Sequence, residues 1–126
     1  MLYHGSKEKL SVLKRRPASA PAGRPAEEGL NAIYLTPNFP FALACAARPE
    51  GITVVDHHEM TIHFENPDRF DPNRKVYIYV VDARQIPDDM QVPVDELQVA
   101  VMIKAVKPVR YETHRAGEIF RHYRVV

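Results

Sequence analysis

The segment VYIYVVD occupies residues 76–82, and its β-branched and aromatic residues are typical of a β-strand. Successive side chains of a strand point to opposite faces of the sheet. One face is therefore predicted to carry Val76, Ile78 and Val80. The opposite face is predicted to carry Tyr77, Tyr79 and Val81. This alternation predicts a well-formed strand in the second half of the chain.

Further strands are predicted on both sides of this segment. They are Leu2–His4, Asn31–Thr36, Ile52–Val55, Thr61–Glu65 and Leu97–Val106, with weaker alternation over Tyr111–Val126. The Ala-rich stretch Phe41–Arg48 predicts a short helix, which either Thr36 or Asn38 can cap. Three prolines predict a long loop over Arg16–Gly29. One or two short helices and six or seven strands indicate an α+β fold of two packed, mainly antiparallel sheets.

The chain length favours a single domain over residues 1–126, because most domains contain roughly 100 to 150 residues. The one cysteine, Cys45, has no partner for an internal disulfide and is flanked by apolar residues. This pattern predicts a buried thiol and a reducing compartment. We therefore expect a cytoplasmic protein.

Charge and hydropathy argue against two classes of partner. The net charge of +1 provides no global attraction for nucleic acid, and the basic run Lys14-Arg15-Arg16 is typical of a solvated surface. The longest apolar runs, Phe39–Ala47 and Val99–Ile103, are far shorter than the roughly 20 residues of a spanning helix. The first residues predict a strand without a signal peptide. We expect no membrane partner.

Several classes of catalytic site are disfavoured by the spacing of the residues. His57-His58-Glu59 and His63 contain ligand types, but adjacent strand residues point apart, so no metal site is predicted. No serine lies in a G-x-S-x-G elbow, and the five glycines form no phosphate-binding loop. A Rossmann or P-loop nucleotide fold is therefore not expected.

Two short motifs at the ends of predicted strands carry the clearest functional signal. Tyr3-His4-Gly5-Ser6 and Ala32-Ile33-Tyr34-Leu35-Thr36 each place polar or aromatic side chains just before a break in the strand. The backbone of Gly5 can hydrogen-bond a planar amide, and the side chains of His4 and Ser6 add directional hydrogen-bonding groups. The ring of Tyr34 offers a flat face for a heteroaromatic ring.

These two motifs, followed by an Ala-rich helix, make the first third of the chain resemble the ADP-ribosyltransferase superfamily. The closer branch is the diphtheria-toxin and poly(ADP-ribose) polymerase type, which has a His-Tyr-Glu triad. The resemblance implies an ADP-ribosyltransferase-like fold that uses NAD as a substrate.

The resemblance also implies a role for each motif residue. His4 would bind the adenine-side ribose of NAD, and Gly5 would hold the nicotinamide carboxamide with help from Ser6. Tyr34 would stack on the nicotinamide ring, and Thr36, which ends the second motif, is counted with the NAD-binding residues. His4 and Tyr34 are thereby also assigned to the catalytic triad.

The third triad residue would be a glutamate at the start of a later strand, where it would stabilise the oxocarbenium ion. Glu96 is assigned this role because it stands just before the strand predicted over Leu97–Val106. Gln98, Glu112 and Glu118 are the alternatives. A glutamine would stabilise a cation less well than a carboxylate does.

The expected function is thus transfer of ADP-ribose from NAD to an unknown acceptor, with release of nicotinamide. The acceptor could be a protein, a nucleic-acid end or a small molecule. One alternative is an NAD glycohydrolase that uses the same pocket. The other is a non-catalytic module of the same fold that binds a nucleotide, ADP-ribose or a protein. A partner chain or a second copy could supply specificity, because so short a chain has no room for a separate recognition domain.

Overall fold

The computed structural model describes residues 1–15 and 32–126 and has an α+β fold. The loop predicted over Arg16–Gly29 lies outside the described residues. The strands are Leu2–Ser6 (β1), Leu13–Lys14 (β2), Ile33–Leu35 (β3), Thr53–Asp56 (β4), Thr61–Phe64 (β5), Lys75–Val81 (β6), Gln91–Pro93 (β7), Val99–Val101 (β8), Ala105–Val106 (β9), Arg110–Arg115 (β10) and Arg124–Val125 (β11). The α-helix is Phe39–Ala47 (α1), and 3-10 turns cover Pro67–Arg69, Ala83–Gln85, Asp88–Met90 and Ala116–Arg121.

Strand β6 is the central strand of a three-stranded sheet, between β1 and β10, and is antiparallel to both. Val76 and Ile78 pack into a core cluster that contains helix α1. Tyr79 and Val81 pack into a second cluster on the opposite face. The predicted alternation of this strand is confirmed. Both of its faces are buried because each has its own apolar cluster.

Helix α1 begins where the sequence predicts a cap and packs against β1. The Asn38 side chain accepts a hydrogen bond from the Phe41 N–H at 3.0 Å, and Pro40 stands in the first turn. The buried alanines Ala42 and Ala46 leave room for a close approach of the two backbones. A Cβ atom at Gly5 would lie 2.0 Å from the Ala42 carbonyl oxygen. Glycine is therefore required at this contact.

The remaining strands form three small sheets. The antiparallel sheet β3-β8-β7 is joined to β1 by a bridge between Tyr3 and Thr36. In the second sheet β5 pairs antiparallel with β4 and parallel with β11, and the third is the pair β2-β9. The mainly antiparallel pairing agrees with the prediction. The described residues form four sheets, however, whereas two were predicted.

One predicted strand is longer in the structure, and two are interrupted. The first strand does not stop at His4 as predicted but continues through Gly5 and Ser6, which pair with β6. The run Leu97–Val106 is divided into β8 and β9, because the chain leaves the β3-β8-β7 sheet to pair with β2. The run Tyr111–Val126 is interrupted by the 3-10 turn Ala116–Arg121. Its buried residues, Ala116 and Ile119, are three positions apart, which suits a helical turn better than a strand. Among the helices of the described residues, none has the length and apolar character needed to cross a membrane.

Candidate functional site

A cleft of about 390 Å³ lies between β1 and β3 and is lined by both predicted motifs. His4, Gly5 and Ser6 line it from β1, and Tyr34 lines it from β3. All four residues are half-buried. The two motifs are separated by about thirty positions in the sequence, yet residues of both line one cleft.

The cleft exists because the pairing between β1 and β3 stops after one bridge. Tyr3 and Thr36 exchange two backbone hydrogen bonds, of 2.7 and 3.0 Å. A continued antiparallel ladder would next place Gly5 opposite Tyr34. Backbone groups two positions apart point to the same side of a strand, so the N–H and C=O of Gly5 point towards β3. The backbone of Gly5 therefore faces the cleft.

His4 crosses the gap that the interrupted ladder leaves. Its Nδ1 lies 2.9 Å from the backbone oxygen of Tyr34. A carbonyl oxygen only accepts hydrogen bonds, so Nδ1 carries the proton and donates it. In the neutral imidazole the other nitrogen, Nε2, is then an acceptor. This contact fixes both the orientation and the tautomer of the His4 ring.

Charged side chains make one side of the cleft cationic. Lys7, Lys14 and Arg48 line it, together with one carboxylate, Glu8. Burial, followed by the positive charges of Arg74 and Arg48, lowers the pKa of Lys7. Clustered cations that repel one another attract an anion into the cleft. The basic run that contains Lys14 predicted a solvated surface, and no local pattern in the sequence pointed to Lys7 or Arg48. Lys7 directly follows β1 and Arg48 directly follows α1, so the packing of these two elements brings the two side chains to one cleft.

Cys45 lines the cleft from helix α1, and its raised pKa favours the protonated thiol at neutral pH. Burial raises the pKa of its thiol to about 11, the negative charge of Asp95 adds to the rise, and Arg48 opposes it. The thiolate is the reactive form of cysteine, so a protonated thiol is inert. Cys45 is half-buried and not fully buried as predicted, and the raised pKa agrees with an unreactive thiol.

Thr36 is brought near the cleft but does not line it. Its side chain is buried, and its hydroxyl oxygen accepts a hydrogen bond from the Asn38 N–H at 3.0 Å. The residue shapes the entry to helix α1. The structure therefore gives no contact for Thr36 in ligand binding.

Glu96 also lies outside the lining of the cleft. Its Oε2 atom accepts hydrogen bonds from Nε2 of His57 at 2.9 Å and Nε2 of His58 at 3.1 Å. The expectation that these two histidines point apart is wrong, because they belong to a turn after β4 and not to a strand. The centroids of the two imidazole rings are 4.0 Å apart.

The alternative residues for the third position have other partners as well. Gln98 precedes β8, and its side-chain amide donates to Asp95 Oδ2 at 3.3 Å. Glu112 Oε1 lies 3.0 Å from Nε2 of His114, and Glu118 Oε1 lies 3.2 Å from Nδ1 of the same ring. His114 belongs to β10, which is an edge strand of the β1-β6-β10 sheet. Of the described glutamates, Glu8 is the one that lines the cleft. The sequence analysis did not identify it, because nothing in the local pattern distinguishes it from a surface residue.

Comparisons of the chain with protein-family models, curated proteins and solved structures find no match.

Proposed function

We propose that this protein binds NAD in the cleft between β1 and β3 and transfers ADP-ribose to an acceptor, on an ADP-ribosyltransferase-like fold. One observation carries the proposal: the interrupted β1–β3 ladder brings the backbone of Gly5 and the side chain of Tyr34 into one half-buried cleft. A planar amide attached to an aromatic ring needs both kinds of group within a few ångströms.

The nicotinamide end of NAD fits the gap in the ladder. Its carboxamide has an N–H donor and a C=O acceptor, which complement the C=O and N–H of Gly5. The hydrogen bonds would replace those that a continued β-ladder would form at the same place. The Tyr34 ring supplies the apolar face against which the pyridine ring stacks.

The rest of NAD suits the polar part of the cleft. In the neutral His4 ring, Nε2 is an acceptor that suits a ribose hydroxyl, since Nδ1–H is directed to the Tyr34 carbonyl. Lys7, Lys14 and Arg48 place positive charge where a pyrophosphate needs it. Among the described lining residues, Glu8 is the one carboxylate beside three cations, so this part of the lining carries an excess of positive charge.

Catalysis would require a carboxylate near the nicotinamide ribose. When the bond between nicotinamide and C1′ breaks, positive charge develops on the ribose, and a carboxylate lowers this barrier. We assign this role to Glu96. Glu96 stands in the turn before β8, and β8 pairs with the cleft strand β3. Glu96, whose side chain is largely exposed, would leave its partners His57 and His58 when NAD binds.

A non-catalytic module is the second candidate, and the position of Glu96 favours it. The carboxylate is held by His57 and His58 and does not line the cleft. If that arrangement persists with a ligand bound, the same cleft would bind NAD or ADP-ribose without cleaving the glycosidic bond.

Incubation of the full chain with NAD, with free nicotinamide quantified over time, tests the proposal. We expect release by the wild type, together with ADP-ribose attached to an added acceptor. Glu96→Gln should lower the rate by roughly 10²- to 10³-fold while NAD affinity is retained. Glu59→Gln is the matched control, because Glu59 is an exposed glutamate of the turn after β4, and it should behave as the wild type.

Each other outcome has a defined meaning. Nicotinamide release without a modified acceptor identifies a glycohydrolase. Saturable NAD binding without release identifies the non-catalytic module. If Glu112→Gln, and not Glu96→Gln, abolishes release, the carboxylate is misassigned. Absence of NAD binding contradicts the proposal itself.

A further inference from the structure

We infer that His57, His58 and Glu96 form a binding site for a divalent transition-metal ion such as Zn²⁺. One atom of each side chain, Nε2, Nε2 and Oε2, lies within 4.8 Å of the other two. Imidazole nitrogen and carboxylate oxygen are the ligands that zinc takes in its two-histidine, one-carboxylate sites. The inference concerns metal binding alone and does not rest on the proposed function.

Two turns bring these side chains together across 38 positions of sequence. The first turn follows β4, where Asp56 Oδ1 accepts hydrogen bonds from the N–H groups of His58 and Glu59, both at 3.0 Å. The second precedes β8, where Asp95 Oδ1 accepts from the N–H groups of Leu97 and Gln98. Each metal-ligating side chain therefore extends from a backbone that is held in place.

The distances are close to those of a tetrahedral metal site. Glu96 Oε2 is 2.9 Å from His57 Nε2 and 3.1 Å from His58 Nε2. Zinc bonds of about 2.0 to 2.1 Å at tetrahedral angles separate neighbouring ligand atoms by about 3.3 Å. Glu96 Oε2 therefore needs to move away from each nitrogen by only a few tenths of an ångström, and the two Nε2 atoms already lie within 4.8 Å of each other. Since His58 and Glu96 are exposed, their side chains can make this adjustment.

The chemistry of the contact also favours a cation. Both Nε2 atoms converge on one carboxylate oxygen, so the negative charge lies at the point where two nitrogens meet. When the histidines are neutral with Nδ1 protonated, both Nε2 lone pairs and the carboxylate are available to one ion. Water would complete the coordination, because three protein ligands leave a fourth position open.

A second histidine–carboxylate cluster shows why convergence matters. His114 has Glu118 at Nδ1 and Glu112 at Nε2, at 3.2 and 3.0 Å. The two ring nitrogens point in different directions, so a single ion cannot contact both carboxylates and the imidazole. This cluster is an ion-pair network, and it serves as an internal comparison for the site at His57.

Calorimetric titration of the chelator-treated full chain with zinc chloride tests the inference. We expect saturable binding of one zinc ion per chain. His57→Ala and His58→Ala should each weaken the affinity by about tenfold or more, since each removes one of three protein ligands. Substitution by Co²⁺ should give the visible absorption of a four-coordinate ion, and this absorption should be lost in both variants.

His63→Ala is the matched control, because His63 is an exposed histidine on the neighbouring strand β5 and its ring contacts the Val126 carbonyl oxygen at 2.8 Å. It should bind zinc as the wild type does. The inference is overturned if the wild type shows no saturable binding. It is equally overturned if His58→Ala binds as tightly as the wild type, or if His63→Ala is weakened to the same extent.

Discussion

The Tyr34 ring is the side chain on which the proposed nicotinamide contact depends. Stacking of a heteroaromatic ring on a tyrosine requires the flat face of the ring and not its hydroxyl group. The two contributions can be separated by substitution, because phenylalanine keeps the face and alanine removes it. Tyr34 is half-buried and lines the cleft.

We expect Tyr34→Ala to weaken NAD binding by about 1–3 kcal/mol, the usual value for one lost base–aromatic stack. Tyr34→Phe should stay within about threefold of the wild type. Tyr111→Ala is the control, because Tyr111 is an exposed tyrosine on β10 that does not line this cleft. Titration of each purified variant with NAD measures the effect. Equal affinities for Tyr34→Ala and wild type would rule out the stacking contact.

At the scale of elements, the contact between β1 and α1 sets the shape of the cleft. A Cβ atom added at Gly5 would meet the Ala42 carbonyl oxygen at 2.0 Å and the Ala46 Cβ at 3.0 Å. We expect Gly5→Ala to lower the free energy of unfolding by about 3 kcal/mol, the upper end of the usual cost of overpacking. Urea denaturation measures this loss.

Gly117→Ala provides the comparison for Gly5→Ala. An added Cβ atom there would lie 3.0 Å from the Pro72 Cβ and 3.1 Å from the Pro72 oxygen, which a small shift can relieve. Its loss of stability should therefore be smaller. If the Gly5→Ala variant were as stable as the wild type, the result would contradict the close packing of β1 on α1 described above.

Strand β10 and the 3-10 turn that follows it share a pH-dependent ion-pair network. Burial lowers the pKa of His114, but the hydrogen bonds and charges of Glu112 and Glu118 outweigh it, so the pKa lies above the ordinary 6.5. A hydrogen bond from the Arg115 N–H lowers the pKa of Glu118, which keeps its carboxylate ionised in weak acid. The folded state therefore binds the His114 proton more tightly than the unfolded state does.

The stabilisation from this network is fully present below about pH 6.5 and is lost as pH rises through the raised pKa of His114. We expect His114→Gln to cost about 1 kcal/mol of unfolding free energy at about pH 6, and clearly less at about pH 8.5. Chemical denaturation at the two pH values checks this. A cost that grows with pH would contradict the assignment.

At the scale of the whole molecule, the features that could be predicted from the sequence are those that residues close together in the chain determine. Alternation predicted β6 and its two faces, and Asn38 was one of two predicted caps for α1, which begins at Phe39 and not at Phe41 as predicted. The motifs at His4 and Tyr34 line one cleft, but neither residue ends its strand, because β1 continues to Ser6 and β3 continues to Leu35.

The remaining features depend on contacts between distant residues. Glu96 meets His57 and His58 only because two turns from different sheets are adjacent in space. The division of Leu97–Val106 into β8 and β9 depends on the partner strand β2, and no local propensity predicts it. Lys7 and Arg48 join one cationic surface through the packing of β1 on α1. Tertiary contacts of this kind override local pattern.

The structure of the protein crystallised with nicotinamide is the most direct test of the proposed cleft. We expect electron density for the pyridine ring against Tyr34, with the carboxamide hydrogen-bonded to the N–H and C=O of Gly5. Nicotinamide bound elsewhere, or a β1–β3 gap that holds only solvent at saturating nicotinamide, would contradict the account.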